Sequence, residues 1–186
     1  MVIHSQDTQT RKLTVSVVEG AESFVRPTHW YAAYTRARHE KMVSRQLEER
    51  SVSCFLPLYS SVRRWKDRRK TLELPLFPGY VFVHISPEER IRVLGTPGVA
   101  RFVSVNGRPA EVPDCDIESL QRGVANGIHT EPHPYLKVGQ KVRIKRGPLA
   151  GAEGILVRKK EKLRVVLSVH LIMRSVAAEV EVGDLE

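Results

Sequence analysis

In the first two thirds of the chain, stretches in which strand-forming residues alternate with a period of two are followed by stretches in which hydrophobic residues have helical spacing. Strand-forming residues fill His29–Thr35, and the next segment, His39–Arg50, has Met42, Val43, Gln46 and Leu47 at helical spacing. The same pattern predicts further strands at Cys54–Tyr59, at Gly79–Ile85, which Leu72–Leu76 precedes, and at Val99–Val105, and helices at Pro87–Leu94 and Asp114–Leu120. The order β-α-β-β-α-β, followed by a helix, predicts an α+β domain over residues 28–122 in which an antiparallel sheet carries its helices on one face.

An aromatic turn, Phe77–Tyr80, leads directly into one of these strands. Pro78 fixes φ and lacks a backbone donor, and Gly79 tolerates a positive φ, so together they force a tight bend. After the bend Tyr80 and Phe82 share one strand face, while aliphatic residues occupy the other. The aliphatic face fits a core, whereas the aromatic face fits either a core or a surface that binds a partner.

The pattern changes after residue 122. Residues 123–136 contain glycines and prolines without apolar periodicity, which predicts a linker. Beyond it, short strands are predicted at Lys141–Lys145, Gly154–Arg158, Leu163–Val169 and Ala177–Val182. Closure of these strands into a small β-barrel over residues 137–186 would remove exposed strand edges. At the other end, residues 1–27 are mostly polar and predict a flexible extension that can add one edge strand at Leu13–Val18.

Positive charge is concentrated in two separate segments. The 186 residues include 30 Lys and Arg against 21 Asp and Glu, a formal net charge of +9. Arg63–Lys70 has six basic residues and one acidic residue, and Lys137–Arg164 has ten basic and two acidic residues. Two such patches predict contact with polyanions at two places, and nucleic acid is a commoner partner for them than a membrane.

The sequence shows no set of residues typical of an enzyme or a metal site. His129 and His133 flank prolines in the predicted linker, the carboxylates are scattered, and Cys54 and Cys115 lack the spacing of a zinc site. No apolar run approaches the roughly 20 residues of a membrane span, and the N-terminus lacks the apolar core of a signal peptide. We therefore expect a cytoplasmic, monomeric protein with reduced thiols that is not an enzyme and binds no cofactor.

Several motifs occur in an order that resembles one protein family. They are His29-Trp30-Tyr31, Pro75–Val83, Gly98–Val103, Val138–Ile144 and Gly147–Leu156. With these motifs the chain after Pro27 resembles the NusG family of transcription elongation factors, and its second half resembles the SH3-like KOW barrel of that family. Val52–Leu58 and Arg63–Asp67 are similar to the specialised paralogues of the RfaH type. The resemblance implies a factor that suppresses pausing or termination of transcription.

The resemblance also implies a surface for RNA polymerase. In the family the N-terminal domain docks on the clamp helices of the largest polymerase subunit through a hydrophobic concavity. Aromatic anchors suit such a contact because they bury a large area at low entropic cost. The positions that match this surface are Tyr34, Phe77, Pro78, Tyr80 and Phe82.

A second implied surface faces the non-template DNA strand of the transcription bubble. Its candidates are basic residues near the first helix and residues of the basic loop, namely Arg36, Arg38, Lys41, Arg45, Arg63, Arg64 and Trp65. Two alternatives stay open. The helical cluster can instead be a solvated face that pairs with Glu40, Glu48 and Glu49. Trp65 can cover the sheet edge rather than stack on an unpaired base.

The C-terminal barrel is a recruiting module in the family, where it binds ribosomal protein S10 or the termination helicase Rho. Its binding loop matches Leu171, Ile172 and Met173, and Ile172 stands where an exposed aromatic residue is usual. Packing of Leu171 in the core is an open alternative. The competing functional class is a KOW-containing, RNA-binding protein associated with the ribosome, because KOW barrels occur there too and the second basic patch fits ribosomal RNA.

Overall fold

The computed structural model describes residues 27–64, 68–133, 139, 141–159, 162–181 and 184–185. The extension predicted for residues 1–27 falls outside the described residues except for Pro27, and so does Trp65.

The N-terminal part of the chain contains nine described strands and three described helices. The strands are β1 (His29–Thr35), β2 (Cys54–Phe55), β3 (Leu58–Arg64), β4 (Arg69–Pro75), β5 (Tyr80–Ile85), β6 (Val99–Phe102), β7 (Ser104–Val105), β8 (Arg108–Pro109) and β9 (Glu111–Val112). The helices are α1 (Glu40–Glu49), α2 (Arg90–Leu94) and α3 (Asp114–Ala125). The C-terminal part contains β10 (Thr130–His133), β11 (Lys141–Arg143), β12 (Glu153–Lys159), β13 (Lys162–Val169) and β14 (Arg174–Val180).

The N-terminal sheet is antiparallel, with the order β2-β5-β1-β6, and β9 also pairs with β1. Strand β1 occupies the centre because it is apolar on both faces, so that either face can be covered. Strands β3 and β4 pair with each other in a separate two-stranded ribbon. The antiparallel α+β architecture predicted from the sequence is therefore confirmed.

The helices lie on both faces of the N-terminal sheet. Val43 and Leu47 of α1 and Val93 of α2 pack with the aliphatic residues of β5 in one core cluster. Ile117 and Leu120 of α3 belong to a different cluster, together with the opposite face of β1 and β5. The predicted arrangement on a single face thus holds for α1 and α2 but not for α3, because the aromatic face of the sheet also needs apolar cover.

The C-terminal strands form a five-stranded antiparallel sheet in the order β10-β14-β13-β12-β11. A bridge between Ile144 and Leu185 attaches the chain end next to β11. This β-rich part agrees with the predicted small barrel.

The predicted linker over residues 123–136 requires correction. Helix α3 continues to Ala125, and residues Thr130–His133 form β10, which pairs with β14. Pro132 lacks an N–H group, and β10 tolerates it because β10 is the edge strand of this sheet.

The two parts of the chain share one hydrophobic cluster. It contains Phe82 and Leu120 from the N-terminal part and Leu149 and Val165 from the C-terminal part. A Cβ atom added at Gly123 of α3 would stand 3.0 Å from a methyl carbon of Leu149. The missing side chain at Gly123 therefore allows the turn that carries Leu149 to approach α3 closely.

Candidate functional site

The aromatic turn Phe77–Tyr80 is held by hydrogen bonds from three sides. The Tyr80 N–H group donates to the Phe77 carbonyl over 3.1 Å and closes the turn, in which Gly79 has a φ of +86°. The Thr35 N–H group at the end of β1 donates to the Gly79 carbonyl over 2.8 Å. The Gly79 N–H group donates to the carboxylate of Glu40, the first residue of α1, over 2.7 Å. The turn is thus fixed between the end of β1 and the start of α1.

The aromatic face of β1 and β5 passes from core to surface along its length. Phe82 is fully buried and Phe77 is 1% exposed, and the two rings meet edge to face with their centroids 5.6 Å apart. Tyr34 is 39% exposed and Tyr80 is half-buried, and these rings also meet edge to face, at 5.4 Å. Rings buried in this way are not available to a partner. The prediction that Phe77 and Phe82 contact polymerase is therefore corrected.

The exposed remainder is a small surface that we call the aromatic patch, formed by Tyr34, Pro78 and Tyr80. Arg101 of β6 adds a positive charge to it, because Arg101 pairs with Tyr34 across the sheet and its guanidinium carbon lies 5.5 Å from the Tyr34 ring centroid. Sequence reasoning missed Arg101. Only the β1–β6 register, which has an irregularity between Tyr34 and Thr35, reveals that it lies beside the patch.

The basic cluster, Arg36, Arg38, Lys41 and Arg45, is exposed around the start of α1. The Arg36 N–H group donates to the Gly98 carbonyl over 2.8 Å, which anchors the loop between β1 and α1. A Cβ atom at Gly98 would lie 2.9 Å from a Val43 methyl carbon, so this approach depends on glycine. The basic cluster and the aromatic patch therefore lie next to each other, because both adjoin this loop.

The alternative of a solvated, internally paired helix face applies only to Arg45. Arg45 forms an exposed ion pair of 3.6 Å with Glu49. Glu40 is buried and accepts the Gly79 hydrogen bond instead. Within the described part of the chain, Arg36, Arg38 and Lys41 form no ion pair, so their charges are available to an anionic partner.

The ribbon of β3 and β4 ends in pairs of like charges. Arg63 lies directly opposite Lys70 and Arg64 opposite Arg69, and all four are exposed. Like charges in directly opposed positions destabilise an antiparallel pair, and a bound polyanion would relieve this repulsion. The nucleic-acid contact of Arg63 and Arg64 stays a prediction, and Trp65 lies outside the described residues.

The predicted recruiting loop of the C-terminal part contains one exposed apolar residue. His170–Ile172 form a 3-10 turn, after which Met173 takes a left-handed conformation and is 59% exposed. Leu171 is half-buried, and Ile172 is buried in the hydrophobic cluster that the two parts share. Ile172 is therefore a core residue rather than a contact residue, and the surface of this loop reduces to Met173 and the exposed part of Leu171.

Two observations on the described residues concern metal binding and thiol reactivity. They contain no group of three or more His, Cys, Asp or Glu side chains that could hold a metal ion. Burial raises the pKa of the Cys54 thiol, which keeps it protonated and unreactive near neutral pH. Among the helices that the structure describes, none is long and apolar enough to cross a membrane.

Comparison with known proteins gives a consistent result. A family model described as "Transcription termination factor nusG" matches residues 28–121. The transcription termination/antitermination protein NusG of Pseudomonas aeruginosa is 28% identical over 171 residues, which cover 84% of this chain and 97% of that protein. The protein of the same name from Neisseria meningitidis serogroup B is 29% identical over 173 residues, covering 84% and 96%.

A solved structure gives the same picture of the fold. The structure described as "Domain interaction in Thermotoga maritima NusG" aligns with a TM-score of 0.54 at 24% identity, covering 86% of this chain and 96% of that chain. At this identity the likeness concerns the fold alone.

Proposed function

This chain belongs to the NusG family, and from that premise we propose that it binds the clamp helices of RNA polymerase through the aromatic patch and the non-template DNA through the basic cluster. It is a transcription elongation and antitermination factor of a non-enzymatic family. We also propose that it is a specialised, RfaH-like member of the family. Its proposed place of action is the cytoplasm, on transcribing polymerase. Holding the clamp and the bubble together would suppress pausing or termination without any chemistry by the protein itself.

The observation that carries this proposal is the placement of the two surfaces. Two aromatic rings, the exposed Tyr34 and the half-buried Tyr80, lie on one side of a loop at one end of the N-terminal sheet, and the exposed charges of Arg36 and Lys41 lie on its other side. Aromatic anchors next to unpaired cations suit a partner that presents an apolar protein surface beside nucleic acid. Transcription in vitro across pause and terminator templates tests the function, and unchanged pausing and readthrough in the presence of the protein would contradict it.

Replacing Tyr80 with alanine is expected to weaken polymerase binding by about 2 kcal/mol, roughly thirtyfold, by analogy with aromatic interface hot spots. Tyr80 is only half-buried, so its replacement should lower the affinity for polymerase more than it lowers the stability of the fold. Titration of purified polymerase measures the affinity, with Val105→Ala as the control because Val105 is exposed on β7. Equal affinities of the two folded variants would remove the aromatic patch from the interface.

Replacing Arg36 with alanine is expected to reduce the salt dependence of DNA binding. Each phosphate contact that is lost lowers the slope of log K against log salt by about 0.7 for single-stranded DNA. Arg122→Ala removes the same charge from an exposed position on α3 and serves as the matched control. Affinity for an elongation complex with an open bubble is measured over a range of KCl concentrations. A slope that changes equally in both variants would argue for a general charge effect instead of a contact at Arg36.

We also propose that the C-terminal part recruits ribosomal protein S10 or Rho through the loop that carries Met173. The exposed Met173 side chain supports this, because an adaptable thioether suits a protein contact. Incubation of the full chain with purified S10 and with purified Rho tests it, and the absence of a complex with either partner would reject recruitment by this route.

A further inference from the structure

The Glu40 carboxylate lies at the junction of the two proposed surfaces. It is only 5% exposed although it belongs to the first turn of α1, whereas the alternative left open by the sequence places it on a solvated helix face. Its Oε1 atom accepts the Gly79 N–H group over 2.7 Å, across a separation of 39 residues. A distance of this kind is typical of a charge-assisted hydrogen bond.

This hydrogen bond holds the Gly79 peptide unit, which determines the geometry of the aromatic turn. Glu40 holds the Gly79 N–H group, and the Thr35 N–H group holds the Gly79 carbonyl. The backbone of Gly79 is thereby fixed at a φ of +86°, and Tyr80 follows immediately. A Cβ atom at Gly79 would stand 3.3 Å from a ring carbon of Tyr34, so the same backbone unit also packs against the second tyrosine.

We propose that Glu40 is a positioning residue: its carboxylate sets the direction of Tyr80 and Pro78 for docking and couples the aromatic patch to the basic cluster. This inference rests on the proposed function of the patch. Burying a carboxylate costs free energy unless hydrogen bonds compensate, so a position that only filled space in the core would favour an apolar side chain. Because Glu40 stands between Arg38 and Lys41 in the chain, the same side chain fixes the distance between the rings and the cations.

Three substitutions in the 186-residue chain separate positioning from a general loss of stability. Glu40→Ala removes the acceptor and is expected to weaken polymerase binding about tenfold, the typical effect of losing a hydrogen bond to a charged group. Glu40→Gln keeps an acceptor oxygen and should remain within about threefold of the parent. Leu47→Ala is the matched control, because Leu47 is fully buried on the same helix but lies in the cluster away from the turn. At a temperature where all three are folded, Leu47→Ala should bind as tightly as the parent.

The backbone amide of Gly79 provides a readout that does not depend on polymerase. In the parent and in Leu47→Ala its NMR signal should be shifted downfield and protected from hydrogen exchange. In Glu40→Ala both properties should be lost, and Glu40→Gln should retain most of the protection. If Glu40→Ala does not fold, Glu40→Gln is compared with the parent instead. The NMR signal of its Gly79 amide should then be shifted downfield less than in the parent.

The outcomes distinguish this inference from the proposed function. Normal polymerase binding by Glu40→Ala, together with a weakened Tyr80→Ala, would overturn the positioning role and leave the docking surface intact. A loss of binding in Leu47→Ala equal to that in Glu40→Ala would overturn it as well, because stability alone would then explain both. If Tyr80→Ala binds normally, the proposed function fails, while the Gly79 amide still reports whether Glu40 holds the turn.

Discussion

Replacing Phe82 with alanine is expected to destabilise the protein by about 3–5 kcal/mol, the range for removing a buried aromatic ring. Phe82 is fully buried on β5 and contacts the rings of Phe77 and Phe55. Its removal leaves a cavity in the hydrophobic cluster that surrounding side chains fill only in part. Since a whole domain is commonly stable by 5–15 kcal/mol, this single change is large enough to leave much of the protein unfolded.

The matched comparison is Tyr80→Ala, on the same strand face two residues earlier. The Tyr80 ring is half-buried, so its removal should affect stability less and affinity more. Urea denaturation measures stability, and polymerase binding is compared at a temperature at which both variants are folded. The prediction is contradicted if Phe82→Ala keeps its denaturation midpoint but loses polymerase binding. The Phe82 ring would then contact the partner, and the protein would bind in a conformation in which this ring is exposed.

The sequence predicts that aliphatic and aromatic residues alternate along β5. It does not predict whether the aromatic face of this strand is core or surface. Val81, Val83 and Ile85 pack against α1 and α2, as the aliphatic pattern predicts. Whether Phe82 and Tyr80 are core or surface depends on which distant segments cover this face, since the cluster around them contains residues of α3 and of the C-terminal part. That cover is a tertiary property, and no local pattern in the sequence encodes it.

Sequence reasoning found the exposed residues of the site and missed the two that support them. Tyr34, Pro78 and Tyr80 were identified through motifs, and their exposure agrees with a surface role. Glu40 and Arg101 act through long-range neighbours, a peptide group 39 residues away and a ring on the adjacent strand. Neither contact has a signature within a local window of sequence, because each joins segments that lie far apart along the chain.

The predicted linker illustrates the same limit in the C-terminal part. Residues 130–133 contain a proline and no apolar periodicity, which favours a linker over a strand when the segment is considered alone. They form β10 because β14 offers an unpaired edge and because charges across the sheet hold them there. Arg164 of β13 reaches both Glu131 of β10 and Glu179 of β14.

Replacing Arg164 with alanine is therefore expected to destabilise the C-terminal sheet by about 3–5 kcal/mol, the range for removing one partner from a buried ion pair. The Arg164 side chain is only 9% exposed, and one of its terminal nitrogens lies 2.9 Å from a Glu179 carboxylate oxygen. Its other terminal nitrogen pairs with Glu131. Removal of the guanidinium leaves two partly buried carboxylates near each other without their shared cation. Urea denaturation and hydrogen exchange of the β10 amides measure the effect.

Arg174→Ala is the control for Arg164→Ala, because it removes the same charge from an exposed position at the start of β14. It should cost less than about 0.5 kcal/mol, as surface substitutions usually do. A triple replacement of Arg164, Glu131 and Glu179 by leucine should recover most of the lost stability, because apolar residues of similar volume often replace a buried ion triad without loss. If Arg164→Ala matches Arg174→Ala in stability and in β10 exchange, the ion pairs do not hold β10 in the sheet. Residues 130–133 would then behave in solution as the linker that their sequence predicts.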